Sequence, residues 1–232
     1  MLHHRQPREV ARLLDGGWPS LFLMFVEPQA MGARNGHATL ANFIDDLATS
    51  GLPLNALTLF HAVRNLPYLS TGDRSLEGIL QRRAGSCSSK HILLSALLDQ
   101  IGIKSHVELV LGDFATPFRG ARNIPAALAV VAQDGIRDIH NVLRAQINGT
   151  SIILDATWHD AMLPFNMRVN KAWVGQGDTQ IAVDVAEMLG PSLQPAEDKA
   201  RIISSWPDAE QQKRRGFLES VNAWVASVTP QQ

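Results

Sequence analysis

The sequence predicts an α+β protein, because helical patterns come first, strand patterns follow, and a helical segment closes the chain. Three observations carry this expectation. Residues 87 to about 100 are apolar almost all round, as a buried helix is. Asn148-Gly149 separates two β-rich stretches, 139–147 and 150–157, and is the favoured dipeptide of a two-residue hairpin turn. Residues 197–228 return to helical spacing, with Phe217, Leu218, Val221, Trp224, Val225 and Val228 on one stripe.

The elements follow in order. A short helix over 9–14 stops at Gly16-Gly17, residues 21–26 form a buried strand or helix, and 32–36 form a loop. Leu40, Phe43, Ile44 and Leu47 recur at helical spacing and end at Gly51-Leu52-Pro53. Residues 1–53 thus read as a helical extension. A second helix spans 54–65 and stops before Pro67. After a turn at 70–73, a short helix begins at Ser75, capped by Asp73 or Ser75. Gly102 ends the helix that starts at Cys87. Residues 107–111 read as a strand, 116–125 as a loop, and 128–132, 168–174 and 181–185 as further strands. The closing segment, 197–228, splits into two helices near Trp206-Pro207.

With 45% hydrophobic and 19% charged residues, the 232-residue chain can bury a sizeable core as a single domain. Its net charge of -1 disfavours nucleic acid and anionic membrane surfaces as partners. One cysteine excludes an intramolecular disulfide framework and a multi-cysteine zinc site, and suits a reducing compartment. The early apolar run at 21–26 is too short to span a bilayer, and the expected location is cytoplasmic.

Cys87 follows Gly85-Ser86 at the start of the buried helix, where the helix dipole and unpaired N–H groups favour the thiolate. A two-residue turn at 148–149 pairs Ile147 with Thr150, Ala145 with Ile152 and Leu143 with Leu154. That register gives one apolar face for the core. The other, more polar face carries His140, Val142, Arg144 and Gln146 opposite Thr157, Asp155, Ile153 and Ser151. His140 and Asp155 become diagonal neighbours on it, roughly 7–8 Å apart at Cα. A thiol, a histidine to take its proton and an aspartate to orient the histidine are the parts of nucleophilic acyl chemistry.

These pieces, in this order, resemble the transglutaminase-like superfamily of thiol enzymes. The resemblance rests on Gly85-Ser86-Cys87, on Ile92 to Leu98 with Gly102-Ile103, on Asp138-Ile139-His140 and on Leu154-Asp155-Ala156-Thr157-Trp158, and it covers residues 54–158. It implies a papain-like core, a Cys87-His140-Asp155 triad, and acyl transfer or amide hydrolysis on a peptide, amide or small acyl substrate without metal or cofactor. Ser88-Ser89-Lys90-His91 and Asn141-Val142 depart from the family's usual residues, which leaves the substrate open.

Plainer readings stand beside these. A cysteine opening a buried helix can be a small packed hydrophobe. Lys90 or His91 would lower the thiol pKa electrostatically, or His91 is a core residue bonded to backbone. His159-Asp160 lacks further ligands at metal-site spacing. Two rival functions follow: a transglutaminase-like domain kept as a binding or scaffold module, and a thioester-dependent N-acyltransferase.

Overall fold

Capping decides where the first helices begin. The computed structural model describes residues 39–229, so the expectations at 9–14, 21–26 and 32–36 lie outside the described residues. Helices α1 (Leu40–Thr49), α2 (Ala56–Arg64) and α3 (Leu76–Arg82) are each preceded by a side chain that accepts from an N–H three residues on: Thr39 from Asn42, Asn55 from Thr58, and Ser75 from Gly78. Each such cap is worth about 1 kcal/mol. Asp73 accepts instead from the Ser75 N–H, so Ser75 is the cap. Helix α4 (Cys87–Gln100) starts at Ser86 without a side-chain cap and ends ahead of Gly102 at φ 74°.

The four strands β1 (Ser105–Asp113), β2 (Arg137–Ile147), β3 (Thr150–Leu154) and β4 (Asp184–Ser192) form one antiparallel sheet in the order β3-β2-β1-β4. The hairpin pairs Ile147 with Thr150, Ala145 with Ile152 and Leu143 with Leu154, the register that the Asn148-Gly149 turn dictates. Both turn residues have positive φ, 51° and 78°, as a type I′ turn requires.

One core joins α1 to α4 to the sheet through Phe60, Leu93, Leu97, Leu143, Ala145 and Leu154. The further α-helices among the described residues are α5 (Thr116–Arg119), α6 (Ala126–Gln133), α7 (Pro195–Ser204) and α8 (Asp208–Val228), with a 3-10 helix at Asp160–Phe165. A second core packs Phe217, Val221 and Trp224 of α8 against Phe118, Val110, Val142 and Trp158. The sheet face carrying His140 and Val142 is therefore not a polar surface. The apolar stripe of α8 covers it, and both side chains are buried.

Four other expectations change. Residues 128–132 lie in helix α6, where only Leu128 and Ala132 are buried, four apart, while Val130 is 70% exposed. That is the helical period; the two valines suggested a strand, but the alanine-rich context prevails. Residues 168–174 form no strand and end at Trp173, which packs on Phe60 at 4.6 Å between ring centroids and donates to the Gly177 carbonyl. The strand expected at 181–185 starts at Asp184 and runs to Ser192 through Gly190 and Pro191. Those two residues mask it in the sequence, and both are tolerated because β4 is an edge strand. Within 116–125, Thr116–Arg119 is a short helix. No helix among the described residues is long and apolar enough to cross a membrane.

Gly149 has open space around its Cα, so a substitution there meets only backbone strain at φ 78°. Gly149→Ala is expected to cost about 1–2 kcal/mol in urea unfolding. Gly120→Ala, with equally open space at φ -95°, is expected to cost much less. Equal effects of the two would refute the turn assignment.

Candidate active site

The site forms where the sheet is incomplete. β3 ends at Leu154, opposite Leu143, so residues 137–142 of β2 have β1 on one side and, among the described residues, no strand on the other. The start of α4 and the chain after Leu154 fill that edge. Ser88 Oγ donates to Asn141 Oδ1 at 2.8 Å, and the Ala156 N–H donates to His91 Nε2 at 2.9 Å. Gly85 fixes the approach to Cys87: its N–H donates to the Pro67 carbonyl at 3.0 Å and its carbonyl accepts from Leu69 at 3.1 Å. A Cβ on Gly85 would collide with the Ser89 hydroxyl and come within 2.7 Å of Ile79 Cδ1. Only glycine lets the turn lie this close to its neighbours.

Here the structure brings Cys87, His140 and Asp155 together. His140 Nε2 and Asp155 Oδ2 are 2.7 Å apart, and both side chains are buried. Asp155 Oδ2 also accepts from the Ala182 N–H at 2.7 Å, and Oδ1 from the Thr157 N–H at 3.0 Å. The carboxylate is thus held on three sides, and its pKa falls far below the ordinary value: burial opposes ionisation, but His140 outweighs it. His140 stacks on Phe114, centroids 6.5 Å apart. Its remaining nitrogen, Nδ1, has no partner by strict hydrogen-bond geometry. The Cys87 thiol is nonetheless close enough that each group strongly shifts the other.

Burial pushes the Cys87 thiol up, but the Lys199 ammonium first and His140 second bring it down to about 6. Burial pushes His140 down, whereas Asp155 and then Cys87 raise it to about 10. The favoured state between those values is a thiolate facing an imidazolium. Lys199, on α7, is buried, with Nζ 3.7 Å from Cys87 Sγ and 3.7 Å from Asp138 Oδ2. Asp138 accepts in turn from Arg214 Nε of α8 at 2.6 Å. Burial raises the Asp138 carboxyl, but Lys199 and Arg214 hold it below the usual carboxylate range.

Sequence reasoning missed Lys199, Asp138 and Arg214. A signal existed for the first: Lys199, Ile202, Ile203 and Trp206 recur at helical spacing, which puts a lysine on the inward stripe of α7.

Lys90 and His91, expected as tuners of the thiol, make other bonds. Lys90 Nζ donates to the carbonyls of Arg64, Leu66 and Thr157, each at 2.8 Å. All three of its donors are used, and it ties the end of α2 and the segment after β3 to α4. Burial, and next Arg64, push its pKa well down. His91 is neutral, lowered to about 4 by burial, and its Nε2 accepts from the Ala156 N–H. A neutral ring cannot stabilise a thiolate by charge. His159 and Asp160 face separate partners: His159 Nε2 is 2.9 Å from Thr229 Oγ1, and Asp160 pairs with Arg64 at 2.9 Å. No group of three or more His, Cys, Asp or Glu residues among the described residues could hold a metal ion.

No protein-family model matches the chain, and no curated protein matches its sequence.

Two predictions follow from these buried bases. Lys90→Met leaves three carbonyls without their donor and is expected to lower stability by about 3 kcal/mol or more in urea unfolding; a loss under about 1 kcal/mol would refute the staple. His91 and His159 are lowered to about 4 and about 3, both chiefly by burial, from 6.5. Depressed values mean the unfolded chain binds more protons, so their stabilisation is present above pH 6.5 and is lost as pH falls through those values. Cys87 and His140 add little slope on the acid side: unfolding lets His140 protonate below 6.5, and the folded pair takes up its proton near 6. Each buried histidine is worth up to about 1.4 kcal/mol per pH unit. Unfolding at pH ~5 against ~7 is expected to show a loss of a few kcal/mol, clearly reduced in His91→Gln. An undiminished loss in that variant would exclude His91 as a source.

Proposed function

We propose that this chain is a transglutaminase-like thiol enzyme with a papain-like core, acting on a peptide, amide or other small acyl group. The single observation that carries the reading is the buried His140–Asp155 hydrogen bond, 2.7 Å long, beside a cysteine whose thiolate is favoured. In this reading Cys87 attacks the acyl carbon, and the carbonyl electron pair moves to oxygen. The carbonyl then reforms, the C–N bond breaks, and His140 gives its proton to the departing amine. Asp155 holds the imidazole with its proton on Nε2 and supports its positive charge, leaving Nδ1 for proton exchange at the sulfur side. The Cys87 backbone N–H, in an uncapped first turn, is one donor for the oxyanion. Water or an amine then takes the acyl group from sulfur, and the thioester-dependent N-acyltransferase is the variant in which the donor is itself a thioester.

One observation favours the scaffold reading: Cys87 is only 1% exposed. A scaffold has no need of a reactive thiol, so the two readings differ in chemistry that can be measured. The rate of Cys87 alkylation by iodoacetamide, followed across pH, is expected to rise with an inflection near about 6. In His140→Ala the inflection moves up by about one pH unit or more, because the imidazolium partner is gone. A slow reaction with an ordinary thiol inflection in both proteins would exclude the enzyme. Acetylation of Cys87 on incubation with acetyl-CoA would select the acyltransferase form.

A further inference from the structure

The closing helices α7 and α8 bring a second cation to the sulfur. Lys199 Nζ donates to Cys87 Sγ at 3.7 Å, and the lysine is 2% exposed. A buried ammonium is stable only with a counter-charge. Lys199 has two: the sulfur and Asp138, whose other oxygen is occupied by Arg214 at 2.6 Å. Three buried anions, Cys87, Asp138 and Asp155, thus face three cations, Lys199, Arg214 and His140. Moving the thiol proton to His140 leaves the net charge of this group unchanged, so it is the ammonium in contact with the sulfur that favours the thiolate. Lys199 is geometrically independent of the His140–Asp155 arm, since it reaches the sulfur from α7.

We propose that Lys199 is a further catalytic residue of the Cys87 site, holding the sulfur as a thiolate at rest and stabilising the acyl oxyanion during attack. The proposal rests on the thiol-enzyme reading above. When the sulfur lone pair forms the S–C bond and the carbonyl pair moves to oxygen, the negative charge shifts from sulfur to an oxygen two bonds away. An ammonium in contact with the sulfur is within reach of both positions, and its charge needs no solvent reorganisation as it follows the shift. When the carbonyl reforms and the amine departs with the His140 proton, the thioester is neutral and Lys199 keeps Asp138 as its counter-charge. Hydrolysis by water returns the carboxylic acid and restores the thiolate, with the water's proton passing to His140. Asp138 and Arg214 act through Lys199 and are positioning residues.

The charged and titratable groups that face Cys87 are His140 and Asp138 on β2, Lys199 on α7, Arg214 on α8, Tyr68 ahead of α3, and Lys90 on its own helix. The test follows the pH profile of Cys87 alkylation by iodoacetamide, together with thiolate ultraviolet absorbance, in the full chain. Lys199→Met is expected to move the inflection up by about one pH unit or more, while Lys199→Arg keeps most of the wild-type profile. Lys199→Gln, close in shape and neutral, repeats the shift and serves where the methionine variant does not fold. A low wild-type inflection that stays unchanged in the folded Met or Gln variant would overturn the role of Lys199 and leave the His140 arm standing. An ordinary thiol inflection in the wild type itself would overturn the thiol-enzyme reading, and the role of Lys199 with it.

Discussion

A carboxylate buried as deeply as Asp155 must be compensated on every side, and much of the site follows from that constraint. Its two oxygens accept from the Thr157 and Ala182 N–H groups and from His140, while its own N–H donates to Thr179 Oγ1 at 2.6 Å. Those bonds tie together the end of β3, the loop before β4 and the open edge of β2. Removing the His140 partner would leave a buried charge without its counter-charge, at a cost of several kcal/mol. The orientation of His140 is therefore a consequence of satisfying Asp155.

The short β3 is what makes room. Had the strand continued in register past Leu154, it would have paired with residues 137–142 and closed the edge against α4. Instead, Thr157, Trp158 and His159 leave the sheet. Thr157 presents its carbonyl to Lys90, and Trp158 packs into the second core. Three layers result, with helices on both faces of the sheet, and the charged groups lie where the layers meet. This explains how Cys87, Asp138, Asp155, His140 and Lys199 are buried together beside the partly buried Arg214: each has a partner of opposite charge close by.

Much of this is local and can be read in the chain. The hairpin register follows from Asn148-Gly149, because a two-residue turn leaves no freedom in pairing, but it holds only as far as Leu143 opposite Leu154; the strand expected to run on to Thr157 and set His140 diagonal to Asp155 ends there. The buried character of α4 follows from apolar residues all round it, and the helix start at Cys87 from Gly85-Ser86. The errors have equally specific causes. Val130 and Val131 gave α6 the look of a strand, although Leu128, Val131 and Ala132 pack inward at helical spacing and Val130 is exposed. Gly190 and Pro191 concealed β4, since an edge strand can carry residues that an interior strand rejects. Lys90 and His91 lie one turn beyond the cysteine on the same helix, but each is engaged by backbone groups packed against that turn. They serve carbonyls and an amide; the charge at the sulfur arrives from residue 199.

By itself, then, the amino-acid sequence determined the α+β class, the helix that presents Cys87, and the hairpin register up to Leu143 and Leu154. Those features depend on turn chemistry and periodicity over a few residues. Tertiary structure alone decided that the cysteine meets the histidine, that the polar-looking face is buried beneath α8, and that Lys199, Asp138 and Arg214 complete the charge balance. The reason is that electrostatic partnership depends on distance in space and on exclusion of water. Neither is a property of a stretch of chain until α7 and α8 have packed against the sheet.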